Sequence, residues 1–339
     1  MSNLVRSASL TNYPEVARAV GLDPLVLLAG VGLSSACLHD PEMRIPSYAV
    51  RDLLEASAKA SGVDNFGLRM AETRHLSNLG AVALMAREEP TVRRVVRAMM
   101  RYSHVLNESL FVELEEANGI AVMREEFLVG QGGSSRQATE LLVGVTFRSL
   151  KFFLGPAWNP LQVCFSHAPP RDPSLHFQLF GYGVYFGQHF NGIACTASDL
   201  DAPNPMADPV MARYARQVLE ASGGSTRMSA ADSVRNILLV LLPSGQCSIE
   251  QVAQQLGVDR QTVHRRLVRE GTAYRDVVNT IRRELAAHYL DDGTRPLAQV
   301  AELLGFSALS AFSRWYKQQF GEVAGLRRRA NVGAERPQA

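Results

Sequence analysis

Along the first two thirds of the chain the apolar positions change period several times. Spacings of three and four predict helices around 46–60, 90–105 and 137–154. Alternation predicts strands at "LFVELEEA" (110–117), "GIAVMREEF" (119–127), "LQVCFSH" (161–167) and "GVYFGQHF" (183–190). The first two strands meet at Ala117-Asn118-Gly119, and Asn-Gly between alternating segments predicts a two-residue hairpin turn. After about residue 230 every segment has a helical period and no strand pattern is visible. The change falls at "EASGGSTRMSA" (220–230), where Gly223 and Gly224 among Ser222, Ser225 and Thr226 break the helical pattern on both sides. The pattern predicts an α+β domain over 1–220, a linker over 221–227, an all-α domain over 228–330 and a flexible tail over 331–339.

The helical third contains a related pattern twice. "VAQQLGVDRQTVHRRLVREG" (252–271) and "VAELLGFSALSAFSRWYKQQFG" (300–321) share Val-Ala, Leu-Gly, an apolar residue, an Asp or Ser, and a basic helix. A helix-turn-helix needs a small residue where its helices approach and a conformationally free residue at the turn. Ala253 and Ala301 fit the first role, Gly257 and Gly305 the second, and Asp259 and Ser307 are placed to cap the second helix. Val263 and Leu267, and Phe312 and Tyr316, are four apart and predict the buried stripe. Gln261, His264, Arg265 and Val268 then lie on the opposite face of one helix, and Leu309, Ser310, Ser313 and Arg314 on that of the other. Between the units, "YRDVVNTIRRELAAHYL" (274–290) predicts a helix roughly 25 Å long. Such a spacer suits two recognition helices set close to one duplex turn apart, about 34 Å.

Composition changes this picture little until it is divided. The chain has 339 residues, 46% hydrophobic and 20% charged, which describes an ordinary globular protein of two domains. Its net charge is +2, yet residues 229–330 hold 14 Lys and Arg against 10 Asp and Glu, so the positive excess is C-terminal. Cysteines lie singly at Cys37, Cys164, Cys195 and Cys247, which gives no disulfide framework, and no secretory segment or membrane span is visible. A cytoplasmic protein without membrane partners is expected.

These residues carry a resemblance. The stretch 229–320, with its two units, the Arg282-x-x-x-Ala286 pattern and "LLGFSALSAFSRWYKQQFG", resembles the AraC/XylS family of bacterial transcription regulators. "HDPEMRIP" (39–46), "NFGLRMAE" (65–72) and "LDAPNPMAD" (200–208) resemble the N-terminal domain of its ornithine-utilisation-type branch. The resemblance implies an α+β sensing domain joined to an all-α domain of two helix-turn-helix units linked by a long helix. It also implies promoter DNA as partner, RNA polymerase as a second, a small-molecule effector, a homodimer as an option, and activation more than repression. The implied base-reading positions are Gln261, His264, Arg265, Ser310, Ser313 and Arg314. Chemistry agrees, since Arg265 or Arg314 can bridge guanine O6 and N7, Gln261 can pair with adenine, and Leu309 can touch a thymine methyl. Arg260, Arg266, Arg269 and Lys317 are assigned to phosphates. The family's closing Ser-Pro and tyrosine are replaced here by Gly321-Glu322-Val323-Ala324-Gly325-Leu326-Arg327-Arg328, which leaves the last helix open.

Other chemistry is weaker. His167, His176 and His189 near Cys164 and Cys195 match no compact metal-ligand spacing, and "QGGSS" (131–135) lacks the lysine of a phosphate loop. No cofactor is expected and no catalytic constellation stands out. The aromatic run around Phe177, Tyr182, Tyr185 and Phe186 reads mainly as core, with lining of an apolar effector pocket as the other reading. Two alternatives to the effector-responsive regulator stay open: a ligand-independent, quorum or virulence regulator whose N-terminal domain only dimerises, and an enzyme with a helical appendage.

Overall fold

In a computed structural model of the chain, Asn118 and Gly119 both take positive φ, 52° and 78°, as a type I′ hairpin requires. The structure describes residues 3–127, 134–219, 230–242, 245, 247–256, 258–291 and 295–327. They form two units, one of residues 3–127 and 134–219 and one of the described residues from 230 onward.

The first unit opens with β1 (Leu4–Arg6), α1 (Tyr13–Ala19), α2 (Pro24–Gly30) and β2 (Arg44–Pro46), β1 and β2 pairing antiparallel. Helices α3 (Ser47–Ser61), α4 (Phe66–Glu72), α5 (Ala81–Arg87), α6 (Val92–Arg101) and α7 (Ser103–Leu106) lead to the hairpin β3 (Leu110–Ala117) and β4 (Ile120–Phe127). Then come α8 (Arg136–Leu154), β5 (Gln162–Cys164), α9 (Ser174–Phe180), β6 (Val184–Tyr185), β7 (Gly192–Thr196), α10 (Ala197–Leu200) and α11 (Pro209–Leu219).

The main sheet has the order β3-β4-β7-β5-β6, antiparallel except for β5 and β6. Alternation along β4 sends Ala121, Met123 and Glu125 inward. The long helix α8 packs on α4 and on this sheet, burying Phe147 and Leu150 in a core shared with Phe66, Phe165, Phe180 and Ile193. The family-like motifs of this unit serve the same scaffold. The Asn204 amide, for example, donates to the Arg87 and Glu89 carbonyls at 2.6 and 2.8 Å and fixes the segment before α11.

Three expectations change. β5 and β6 are shorter than their alternating patterns: past Cys164 the Ser166 N–H turns to the Asn191 side chain at 2.7 Å, and the Gly187 and Gln188 N–H groups donate to the His167 and Phe165 carbonyls out of the parallel register. β7, unread in the sequence, is a central strand buried along most of its length, so its residues do not alternate. The pairing strands β1 and β2 are also additions, each three residues long.

The second unit is helical throughout its described residues: α12 (Ala230–Leu241), α13 (Ile249–Gln255), α14 (Arg260–Arg269), α15 (Tyr274–Asp291), α16 (Leu297–Leu303) and α17 (Leu309–Phe320). Val234 and Leu238 of α12 and Ile281 and Leu285 of α15 are buried. Glu270, just after α14, accepts from the Ala230 and Ala231 N–H groups at 2.6 and 2.9 Å and so caps α12.

Candidate nucleic-acid interface

Both units close their first helix in one way. The Val258 N–H donates to the Ala253 carbonyl at 3.0 Å, and the Phe306 N–H to the Ala301 carbonyl at 2.9 Å. In the second unit the Gly305 N–H also donates to the Glu302 carbonyl at 2.8 Å, which completes a Schellman turn. Gly305 has φ +68°, and a Cβ there would sit 2.8 Å from the Leu242 carbonyl oxygen. Gly257, the matching position, lies outside the described residues, as does the linker 221–227.

Starts differ between the two recognition helices. Asp259 caps α14, its carboxylate accepting the Thr262 N–H at 2.7 Å and the Thr262 hydroxyl at 2.8 Å. These bonds, the backbone one first, hold the Asp259 carboxyl below the usual carboxylate range. In α17 the cap position is Ala308, with no side-chain bond, so Ser307 is not the cap expected from the sequence. The extra residue of the second unit sets the helix start at Leu309 and leaves Ser307 exposed, one position too early.

The buried stripes fall where the spacing puts them. Val263 and Leu267 anchor α14, and Phe312 and Tyr316 anchor α17, all at 1% exposure or less. Opposite them, Gln261, His264 and Arg265 are exposed on α14, and Leu309, Ser310, Ser313 and Arg314 on α17. Arg265 donates to the Thr262 hydroxyl at 3.3 Å, which holds its stem along the helix. Ser313 donates to the Leu309 carbonyl at 2.9 Å, so its oxygen presents lone pairs outward. Arg266, Arg269, Arg314 and Lys317 are exposed. Arg260 is exposed too, but pairs with Glu250 at 3.1 Å.

Residues that aim these helices were less legible. Arg282 of α15 donates to the Leu304 carbonyl at 2.9 Å and the Gly305 carbonyl at 3.2 Å, and stacks 4.2 Å from the Phe306 ring centroid. The Trp315 indole N–H donates to Asn279 of α15 at 3.1 Å. Together they tie the second turn and α17 to α15. The signal for Arg282 was its place in the Arg282-x-x-x-Ala286 pattern; Asn279 had none. Beyond Gly321, residues 324–327 are helical and Ala324 is buried, so a further helix begins without the family's Ser-Pro. Arg328 and Arg329 lie outside the described residues.

Comparison with known proteins matches residues 21–204 to the arabinose-binding N-terminal domain of AraC transcription regulators, and 252–330 to a helix-turn-helix domain. The chain belongs to the AraC family of transcription regulators. It is 30% identical to the HTH-type transcriptional regulator VirS of Mycobacterium tuberculosis, over 95% of each chain. With the ornithine utilization regulator of Pseudomonas aeruginosa it shares 24% identity, over 88% of this chain and 92% of that one. A transcriptional activator of Rhodococcus, NphR, is 29% identical over 52% of this chain and 57% of its own. This chain is therefore a DNA-binding transcription regulator and not an enzyme.

In the first unit the aromatic run divides between surface and core. Tyr182 is 94% exposed and stacks on Phe177 at the surface, and Tyr185 is exposed too. Phe186 packs on Phe165 within the core. Among the described residues, two cavities lie beside α8. A wider one, of about 500 Å³, is lined by Arg74, Arg148, Lys151, Phe147, Phe152 and Leu179. A narrower one, of about 80 Å³, lies between α6, α8 and the β3–β4 hairpin and has Glu125 in its wall.

His167 and His176 pack against Phe165, whereas His189 is exposed. His176 Nε2 lies 3.2 Å and His167 Nε2 3.5 Å from the buried Glu140 carboxylate, which also accepts from Arg136 at 3.0 Å. Burial pushes His167 below the usual histidine range. Cys164 and Cys195 are buried and unbridged, and burial pushes the Cys195 thiol up to about 12. Among the described residues no three such side chains are arranged to hold a metal. "QGGSS" falls partly outside those residues. Among them, no helix is long and apolar enough to cross a membrane.

Proposed function

We propose that this chain is an effector-responsive activator that reads two successive major grooves of promoter DNA through α14 and α17. The reading is carried by one observation: two helices of like construction, each with a fully buried pair of anchors and an exposed polar face opposite. Gln261, His264 and Arg265 read one groove, and Leu309, Ser310, Ser313 and Arg314 the other, by base-edge hydrogen bonds and contact with a thymine methyl. Arg266, Arg269 and Lys317 bind phosphates, and Arg260 joins them when it exchanges Glu250 for DNA. A small molecule held by the first unit shifts the balance between two states of the protein only if it binds one of them better. RNA polymerase is the downstream partner. Exposed Val210, Met211 and Tyr214 on α11 suit contact with a second copy.

The test is a gel-shift titration of the full chain on its own promoter at physiological salt. Arg265→Ala is expected to relax preference at one base position, at a cost of about 1–3 kcal/mol. Arg269→Ala is expected to weaken all sequences alike and to flatten the salt dependence. Equal effects of the two substitutions would overturn this sorting, and a wild-type chain that does not prefer its promoter over random DNA would overturn the reading itself.

A further inference from the structure

A carboxyl group buried with one oxygen unpartnered in the wall of an apolar cavity needs a reason, because an apolar residue there would cost less. Glu125 occupies an inward position of β4, after Ala121 and Met123, and is 1% exposed. Its Oε1 accepts from the Thr146 hydroxyl of α8, and its Oε2 has no partner among the described residues. The cavity it faces is otherwise lined largely by apolar side chains, Val95, Met99, Leu106, Leu110 and Phe153 among them, and by no basic residue among the described residues. Val95 and Phe153 are buried, while Met99, Leu106 and Leu110 are half-buried and form an apolar mouth. Burial pushes the carboxyl up to about 7, with the Thr146 hydrogen bond alone opposing it.

These features define a complement. A ligand carboxylate would meet a like charge, and an alcohol would give Oε2 one neutral hydrogen bond. An ammonium group supplies charge-assisted donors and neutralises the buried anion. The enclosed volume is about half that of a cavity that holds benzene, about 150 Å³, so it takes a head group and a few carbons. A longer body leaves through the mouth.

We propose that this cavity is the effector site, and that it binds a primary amine with a short aliphatic body, its ammonium on Glu125 Oε2. The proposal rests on the effector-responsive reading and names the ligand class for it.

The experiment is calorimetric titration of the full chain at pH 8 with butylamine, butan-1-ol and butyrate, three probes of one body and different heads. Butylamine is expected to bind at least about tenfold tighter than butan-1-ol, with butyrate weakest. In Glu125→Gln the preference for amine is expected to vanish while butan-1-ol affinity stays within about twofold. Should that variant fail to melt cooperatively, Leu106→Trp, which keeps Glu125 and fills the mouth, is expected to lose all three ligands. Equal affinities, tighter binding of butyrate, no binding, or unchanged binding in Leu106→Trp would each overturn the proposal; tighter butyrate would move the role to the wider basic cavity. A parallel promoter shift without ligand separates the two readings. Lost promoter binding strikes the regulator reading, whereas intact promoter binding without amine binding strikes this site alone.

Discussion

Glu125 and Asp259 are both acids, and their surroundings push them in opposite directions. Asp259 sits exposed at a helix start, where the Thr262 N–H and hydroxyl favour its charged form. Its share of stability is present above the ordinary carboxylate range and is lost as pH falls through the lowered value. Glu125 is enclosed by apolar groups that favour its neutral form, and its carboxyl is raised from an ordinary 4.5 to about 7. Between these values the folded chain keeps a proton that the unfolded chain gives up, so stability falls as pH rises through this window and stays lowered above it. Glu125→Gln is therefore expected to stabilise the protein at pH 8, by up to about 3 kcal/mol, and to change little below pH 5, within about 0.5 kcal/mol. Urea unfolding at both pH values checks this. A gain of equal size at both would show that packing rather than charge governs the site.

Among the elements, the second helix-turn-helix unit concentrates several constraints on one turn. Gly305 takes φ +68° under the Leu242 carbonyl, and Arg282 fixes the carbonyls on either side of the turn. Gly305→Ala is expected to cost about 1–2 kcal/mol from the left-handed backbone alone, with the 2.8 Å contact adding to it. In a gel shift the variant should lose preference at the half-site read by α17 before the one read by α14; equal loss at both would show that the turn does not aim α17 separately. How much of this was legible depended on how local each signal is. Asn118-Gly119, the Val263–Leu267 and Phe312–Tyr316 stripes and the Asp259 cap depend on near neighbours in sequence, and all were readable. Ser307 misled because one inserted residue moved the helix start past it. β7 was missed because a short strand buried along its length has no polar partner to alternate with. Glu125 followed the alternation of β4 inward, but no sequence pattern shows that it faces an apolar cavity. Phe177, Tyr182 and Tyr185 drew attention by type alone, and type does not say which way a ring faces.

For the whole molecule, the distribution of buried residues predicts which pieces stand alone. Among the described residues, the main apolar core of the first unit runs from Val5 to Leu200, with Ala202 packed against it. The second unit buries its own set, from Val234 and Leu238 through Val263, Ile281 and Leu285 to Phe312, Tyr316 and Ala324. A piece that retains its full core keeps most of the hydrophobic stabilisation, about 25 cal/mol per Å² of apolar surface buried. Fragments 1–225 and 228–339 are accordingly expected to fold separately, each with one cooperative thermal transition. The excess of positive charge lies in the second, with 14 basic against 10 acidic residues over 229–330. Fragment 228–339 is therefore expected to shift the promoter with an affinity that falls steeply with salt, and fragment 1–225 to leave it unshifted. Circular dichroism melts and gel shifts at two salt concentrations check both halves of the prediction. A helical, cooperatively melting 228–339 fragment that ignored DNA would show that the first unit contributes to binding. An unfolded one would show that the second core depends on the first.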